Sequence, residues 1–137
     1  MRTHIRRFKL SDTFIEQYKD REVPWGPLGY VTFKRTYARR LSEFNEEATG
    51  TEEWFQTCRR VIEGMFDMQK QHVYKLGLEW NDAKSQKTAK DAYDRLFTLK
   101  WTPPGRGLWM MGTKFVNTRT AAGLFNCAFR STRELNT

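Results

Sequence analysis

An apolar stripe beginning at Trp54 constrains the fold more than any other feature of the chain. Trp54, Phe55, Cys58, Val61, Ile62, Met65 and Phe66 recur at intervals of three and four residues, which puts them on one face of a helix. Thr51 suits the N-cap of that helix, and Glu52 and Glu53 suit the positive end of its dipole. The helix passes His72 and Val73 to about Leu76, where Gly77 stops it. A further helix starts at about Ser85, carries Ala89, Ala92, Tyr93, Leu96 and Phe97 on one face, and is terminated by Pro103 and Pro104.

Upstream, Ser11 or Asp12 caps a short helix bearing Phe14, Ile15 and Tyr18, ended by Val23-Pro24-Trp25-Gly26-Pro27. Residues 30–41 are ambiguous. Tyr30, Phe33, Tyr37 and Leu41 follow helical spacing, whereas Val31-Thr32-Phe33 favours strand locally; we assign helix. Residues 42–50 form a polar, acidic connection. Beyond residue 100 the pattern changes: Gly105, Gly107, Gly112 and Gly123 punctuate short apolar runs, and Leu124-Phe-Asn-Cys-Ala-Phe129 reads as a buried strand. Such a strand needs neighbours for its backbone groups.

A length of 137 residues suits one domain. The content of 15% aromatic residues is more apolar material than a helical module of this size needs, so part of it is expected to face a partner. Twenty-four Lys and Arg against 16 Asp and Glu give a net charge of +8, a surface that attracts polyanions. The basic residues are dispersed, and no long basic run marks a nucleic-acid groove. Two distant cysteines, Cys58 and Cys127, make no disulfide scaffold and suit a reducing cytoplasm. No apolar run approaches the roughly 20 residues of a membrane span, and the N-terminus lacks a signal-peptide core. His4 and His72 have no metal-ligand spacing to Cys or carboxylates, so no metal site is expected. Walker and Rossmann glycine patterns are absent.

Among residues able to carry chemistry, Cys127 leads. Read alone, a cysteine in an apolar strand is either a small buried hydrophobe or a reactive thiol. Its neighbour Asn126 brings an amide that needs a hydrogen-bond partner, which a substrate can supply. Thr113 either satisfies a turn or meets a ligand. Cys58 lies on the apolar stripe and is read as core, as is Trp109-Met110-Met111; Gly105-Arg106-Gly107 is read as a tight turn after Pro-Pro, and His72 as solvated.

Four stretches together resemble a known family. They are Arg7-Phe-Lys-Leu-Ser-Asp12, Pro24-Trp-Gly-Pro-Leu-Gly-Tyr-Val-Thr-Phe-Lys-Arg-Thr-Tyr-Ala-Arg39, Lys100-Trp-Thr-Pro-Pro-Gly-Arg-Gly-Leu-Trp-Met-Met-Gly-Thr113 and Asn126-Cys-Ala-Phe129. The chain resembles the adenosylcobalamin-dependent (class II) ribonucleoside-triphosphate reductases, whose members are several-fold longer. The resemblance implies a mainly α fold: a helical N-terminal module over 1–100, then over 101–137 the first strand region of a ten-stranded α/β barrel, truncated. It implies that Cys127 is one of two thiols that reduce the ribose 2′ position, with Asn126 and Thr113 toward the substrate. It also implies a thiyl-radical cysteine, a glutamate base and adenosylcobalamin, none of which these residues accommodate, so the isolated chain is expected not to turn over. The partners implied are a ribonucleoside triphosphate, a nucleotide effector, a thioredoxin-like reductant and, for a split gene, a separately encoded downstream segment. The competing expectation is a small basic helical module that binds nucleic acid or nucleotides without catalysis.

Overall fold

The computed structural model describes residues 5–118 and Leu124. Along them run α1 (Asp12–Glu16), α2 (Gly26–Thr36), a 3-10 turn (Leu41–Glu43), α3 (Trp54–Lys75), α4 (Asp82–Phe97), α5 (Gly105–Met110) and α6 (Lys114–Thr118). The described residues contain no β-strand; a single isolated antiparallel bridge joins Arg40 to Thr51. The mainly α expectation therefore holds. The strand expected at 124–129 lies outside the described residues except for Leu124, which sits in a 3-10 turn.

The stripe that opens at Trp54 becomes α3, and its buried side meets α4. Cys58, Val61, Ile62, Ala89, Tyr93 and Leu96 have no exposed surface. The polar edge of this seam is satisfied by two bonds from side chain to carbonyl. Trp54 Nε1 donates to Phe97 O (3.0 Å) and the Tyr93 hydroxyl donates to Phe55 O (2.9 Å). The ends of α3 differ in how well local rules describe them. Gly77, with φ of 71°, closes the C-terminus as expected. The N-cap is Glu53 rather than Thr51: Gln56 accepts from the Glu53 amide (2.8 Å), while Thr51 is drawn into the bridge with Arg40.

Three other helices have corrected boundaries. α4 starts at Asp82, because the Asn81 side chain accepts from the Lys84 amide (3.0 Å) and caps it upstream of Ser85. It ends at Phe97, well before the prolines, as Leu99 takes a φ of 60° and the Lys100 amide returns to Arg95 O. α2 starts at Gly26, where a φ of 66° turns the chain, and Pro27 follows in the first turn, where its missing amide hydrogen costs nothing. It stops at Thr36, so Tyr37 and Leu41 fall outside it. α1 is a single turn ending at Glu16, and Tyr18 follows in the next turn.

The larger correction concerns the glycine-rich stretch. Residues 105–110 and 114–118 are helical, so Gly105-Arg106-Gly107 opens a helix and is not the tight turn expected there. A six-residue helix is marginal on its own. α5 persists because Leu108 is buried against the core and Pro104 precedes its first turn. In the Trp109-Met110-Met111 cluster, Trp109 is 45% exposed, with the Arg39 guanidinium 4.8 Å above its ring, so it is not core.

The N-terminal segment is laid across α3 by carboxylates: Asp67 accepts from the Phe8 amide and Glu63 from the Leu10 amide, both at 3.0 Å. Much of the aromatic content is consumed internally. Tyr18 meets Tyr93 edge-on at 4.8 Å and Phe97 at 5.0 Å, and Trp25, Phe33 and Trp54 form a second cluster. Phe44, Trp109 and Phe115 stay half-exposed. Among the described residues no helix is long and apolar enough to cross a membrane.

Candidate functional site

Two charged residues of α3 are buried, Arg60 and Lys70, and apolar periodicity announces neither. Arg60 is almost wholly buried and forms an ion pair with Glu52, Nε to Oε2 at 3.0 Å and Nη2 to Oε1 at 3.1 Å. Glu52 also accepts from the Arg39 amide (2.9 Å) and the Thr57 hydroxyl (3.1 Å). The rest of the guanidinium donates to carbonyls at the end of α5: Leu108 O (3.0 Å), Met111 O (2.6 Å) and Trp109 O (3.4 Å). A helix leaves its last carbonyls without internal partners, and a cation there also meets the negative end of the dipole.

Just past this clamp the chain presses onto α3. Gly112 has a φ of 74°, and a β-carbon there would lie 2.4 Å from Arg60 O; a β-carbon on Gly64 would lie 2.6 Å from Gly112 N. Only glycine at both positions permits this approach. Thr113 follows at once. It is 2% exposed, its amide and hydroxyl both donate to Met110 O (3.1 and 2.7 Å), and its own carbonyl accepts from the Asn117 amide (3.3 Å).

Two adjoining clefts share Arg7, Phe44, Gly112 and Asn117. The first, about 450 Å³, runs along α3 past Phe55, Arg59, Arg60 and Glu63. The second, about 580 Å³, is lined by Arg39, Glu43, Thr113, Lys114 and Phe115 and carries more cationic than anionic groups. Both volumes lie in the range of small-molecule sites. Thr113 is thus the predicted site residue that the structure brings to a cleft, with its hydroxyl proton committed to the backbone and its oxygen lone pairs left for a donor. Asn126 and Cys127 lie outside the described residues. Cys58 is core, as expected: burial, with Glu52 nearby, pushes its thiol well above the ordinary range, while the Arg60 charge opposes the shift.

Sequence reading missed the Glu52–Arg60 pair. Arg60 falls among Thr57 and Val61 on the buried face of α3, which was the available signal. Glu52 gave none, since it precedes the helix and looks like a dipole partner. No group of His, Cys, Asp and Glu among the described residues has metal-site geometry, and His72 is exposed on α3.

The sequence and fold have clear counterparts. The family model of the ribonucleotide reductase alpha domain matches residues 10–113. A probable adenosylcobalamin-dependent ribonucleoside-triphosphate reductase of Dictyostelium discoideum is 39% identical over 137 residues, covering 96% of this chain and 17% of the relative. The corresponding reductase of Euglena gracilis is 40% identical over 133 residues, covering 94% and 18%. That of Lactobacillus leichmannii is 38% identical over 125 residues, covering 90% and 16%. A crystal structure of a B12-dependent (class II) ribonucleotide reductase superposes with a TM-score of 0.71 at 35% identity, over 88% of this chain and 16% of that one. The chain spans less than a fifth of the length of these relatives.

Proposed function

Because the chain belongs to the ribonucleotide reductase family, we propose that it is the N-terminal part of a ribonucleoside-triphosphate reductase, which makes 2′-deoxyribonucleotides. The observation that carries this reading is the alpha-domain match over residues 10–113. Residues 1–100 form the helical module, and 101–137 lead into the catalytic barrel. Trp101 and Leu108 pack on the core of the helical module, so the two parts meet through shared packing.

In this reading Cys127 is one of two thiols that reduce the ribose. The 2′ carbon–oxygen bond breaks, the oxygen leaves as water, and a carbon–hydrogen bond replaces it. The two thiols supply two electrons and two protons and become a disulfide. A thioredoxin-like reductant then restores them by thiol–disulfide exchange. Thr113 and Asn126 hold the nucleotide by hydrogen bonds. The second thiol is not Cys58, whose burial keeps it protonated and away from any cleft. The chemistry needs reduced cysteines, which places the enzyme in the cytoplasm. A nucleotide effector regulates the whole, through residues other than those assigned here.

The relatives depend on adenosylcobalamin by name. The described residues do not fit that group. Clefts of about 450 and 580 Å³ take drug-sized ligands, and a corrin cofactor is larger than either. We therefore assign the cofactor, the radical-bearing cysteine and the glutamate base to other parts of the enzyme, and derive no step through them from these residues.

The test is a chimera in which residues 1–137 replace the matching segment of the Lactobacillus leichmannii reductase. It should reduce ribonucleoside triphosphates in the presence of adenosylcobalamin, and Cys127→Ser should abolish repeated turnover with a thioredoxin-like reductant. A folded chimera with no activity would overturn the reading.

A further inference from the structure

We infer that Arg60 is a positioning residue: braced by Glu52, it sets the path of residues 108–113 and so the place of Thr113 in the cleft. The substrate role of Thr113 rests on the reductase reading above; the positioning itself does not.

A guanidinium offers five N–H donors in a rigid fork, and the donors of Arg60 point two ways. One edge binds Glu52 through Nε and Nη2. The remaining hydrogens reach the carbonyls of Leu108, Trp109 and Met111. Glu52 cannot drift, because it also accepts from Arg39 N, at the far end of its own connection, and from Thr57 Oγ1 on α3. The brace therefore ties α3, the 39–52 connection and the end of α5 to one another. From Met111, whose carbonyl Arg60 holds at 2.6 Å, the chain runs through Gly112 directly to Thr113. Gly112 lies on the backbone of Arg60 and Gly64, so the segment has no slack.

Stability alone does not account for the pair. Desolvating two charges offsets most of their attraction, and apolar replacements of buried pairs are often neutral. What a bidentate pair supplies is direction. α5 has only six residues and cannot fix its own course.

The test uses the double variant Glu52→Gln/Arg60→Met, which leaves no charge buried alone. Its glutamine oxygen still accepts from Arg39 N and Thr57 Oγ1. In the 137-residue chain the melting temperature should stay within about 3 °C of the parent. The amides of Thr113 and Asn117 should exchange hydrogen at least about tenfold faster, with those of Val61 and Ile62 unchanged. Arg60→Lys should show the same selective loosening, because an ammonium cannot fork. Unchanged exchange at Thr113, or a uniform rise with a lowered melt, would overturn the inference, as would full protection in Arg60→Lys. In the chimera, the double variant should raise KM for the ribonucleoside triphosphate about tenfold and change kcat less than about threefold; a loss confined to kcat would count against positioning of Thr113. Should the parent chimera prove inactive, the reductase reading falls, and the exchange measurement still decides the role of Arg60.

Discussion

Gly64 and Gly112 meet backbone to backbone, with room for no side chain between them: a β-carbon on Gly64 would sit 2.6 Å from the Gly112 amide nitrogen. This contact seats the 108–118 segment on α3 and brings Thr113 to the cleft. It joins the middle of the amphipathic helix to the glycine-rich stretch whose motif resembles the reductases.

Gly112 and Gly77 separate backbone conformation from packing. Both have φ above 70°, but a β-carbon on Gly77 meets open space and one on Gly112 meets Arg60 O at 2.4 Å. Gly77→Ala should cost about 1 kcal/mol, the penalty of the left-handed region alone. Gly112→Ala should cost at least about 3 kcal/mol, because backbone must move as well. Urea denaturation of the two variants measures the difference, and equal losses would mean that the α3 contact contributes nothing.

Alkali should destabilise the chain earlier than ordinary tyrosines alone would. Burial raises the Cys58 thiol well above its usual 9.0 and raises Tyr18 to about 12, the latter helped by its hydrogen bond to Asp94. The unfolded chain therefore releases these protons at lower pH than the folded one. The stabilisation is complete below about pH 9 and declines as pH rises from there through the folded values, Cys58 first and Tyr18 above pH 10. Melting temperature followed from pH 8 to 11 should fall progressively, and a flat profile would contradict the burial of these groups.

Cys58 should be chemically silent while the protein is folded. In a Cys127→Ala background it is the one thiol in the chain, and the native structure leaves it no exposed surface. Its labelling by an aromatic disulfide reagent should track the denaturant unfolding curve. Rapid labelling in native buffer would place Cys58 outside the core.

Thr113 can be dissected by shape and polarity. Thr113→Ser keeps the hydroxyl that donates to Met110 O at 2.7 Å, whereas Thr113→Val keeps the volume and removes the donor. Valine should lower stability by about 1 kcal/mol and raise the chimera's KM for nucleotide by about fivefold; serine should stay close to the parent in both. Equal behaviour of the two variants would assign Thr113 a purely steric role.

The long helices were legible in the sequence because their signals are local. Trp54, Cys58, Val61 and Ile62 define the buried face of α3 within a few turns, and Gly77 ends it by its own conformational freedom. Asn81 as cap of α4 was equally readable from residue type and was overlooked in favour of Ser85. The reductase resemblance was likewise carried by short contiguous motifs, and the alpha-domain match over residues 10–113 agrees with it.

What tertiary structure decided is what depends on residues far apart in the chain. Thr51 looked like a cap and became a bridge partner of Arg40, and Glu52 looked like a dipole partner and turned inward to Arg60. The glycines at 105 and 107 suggested a turn, yet Leu108 buries against the core and Arg60, 48 residues upstream, holds its carbonyl. Local periodicity reports which face of an element is apolar. It carries no information about which carbonyls a buried guanidinium will find, or where two glycines allow two backbones to touch. Those depend on how α3 and α5 meet, and they place Thr113.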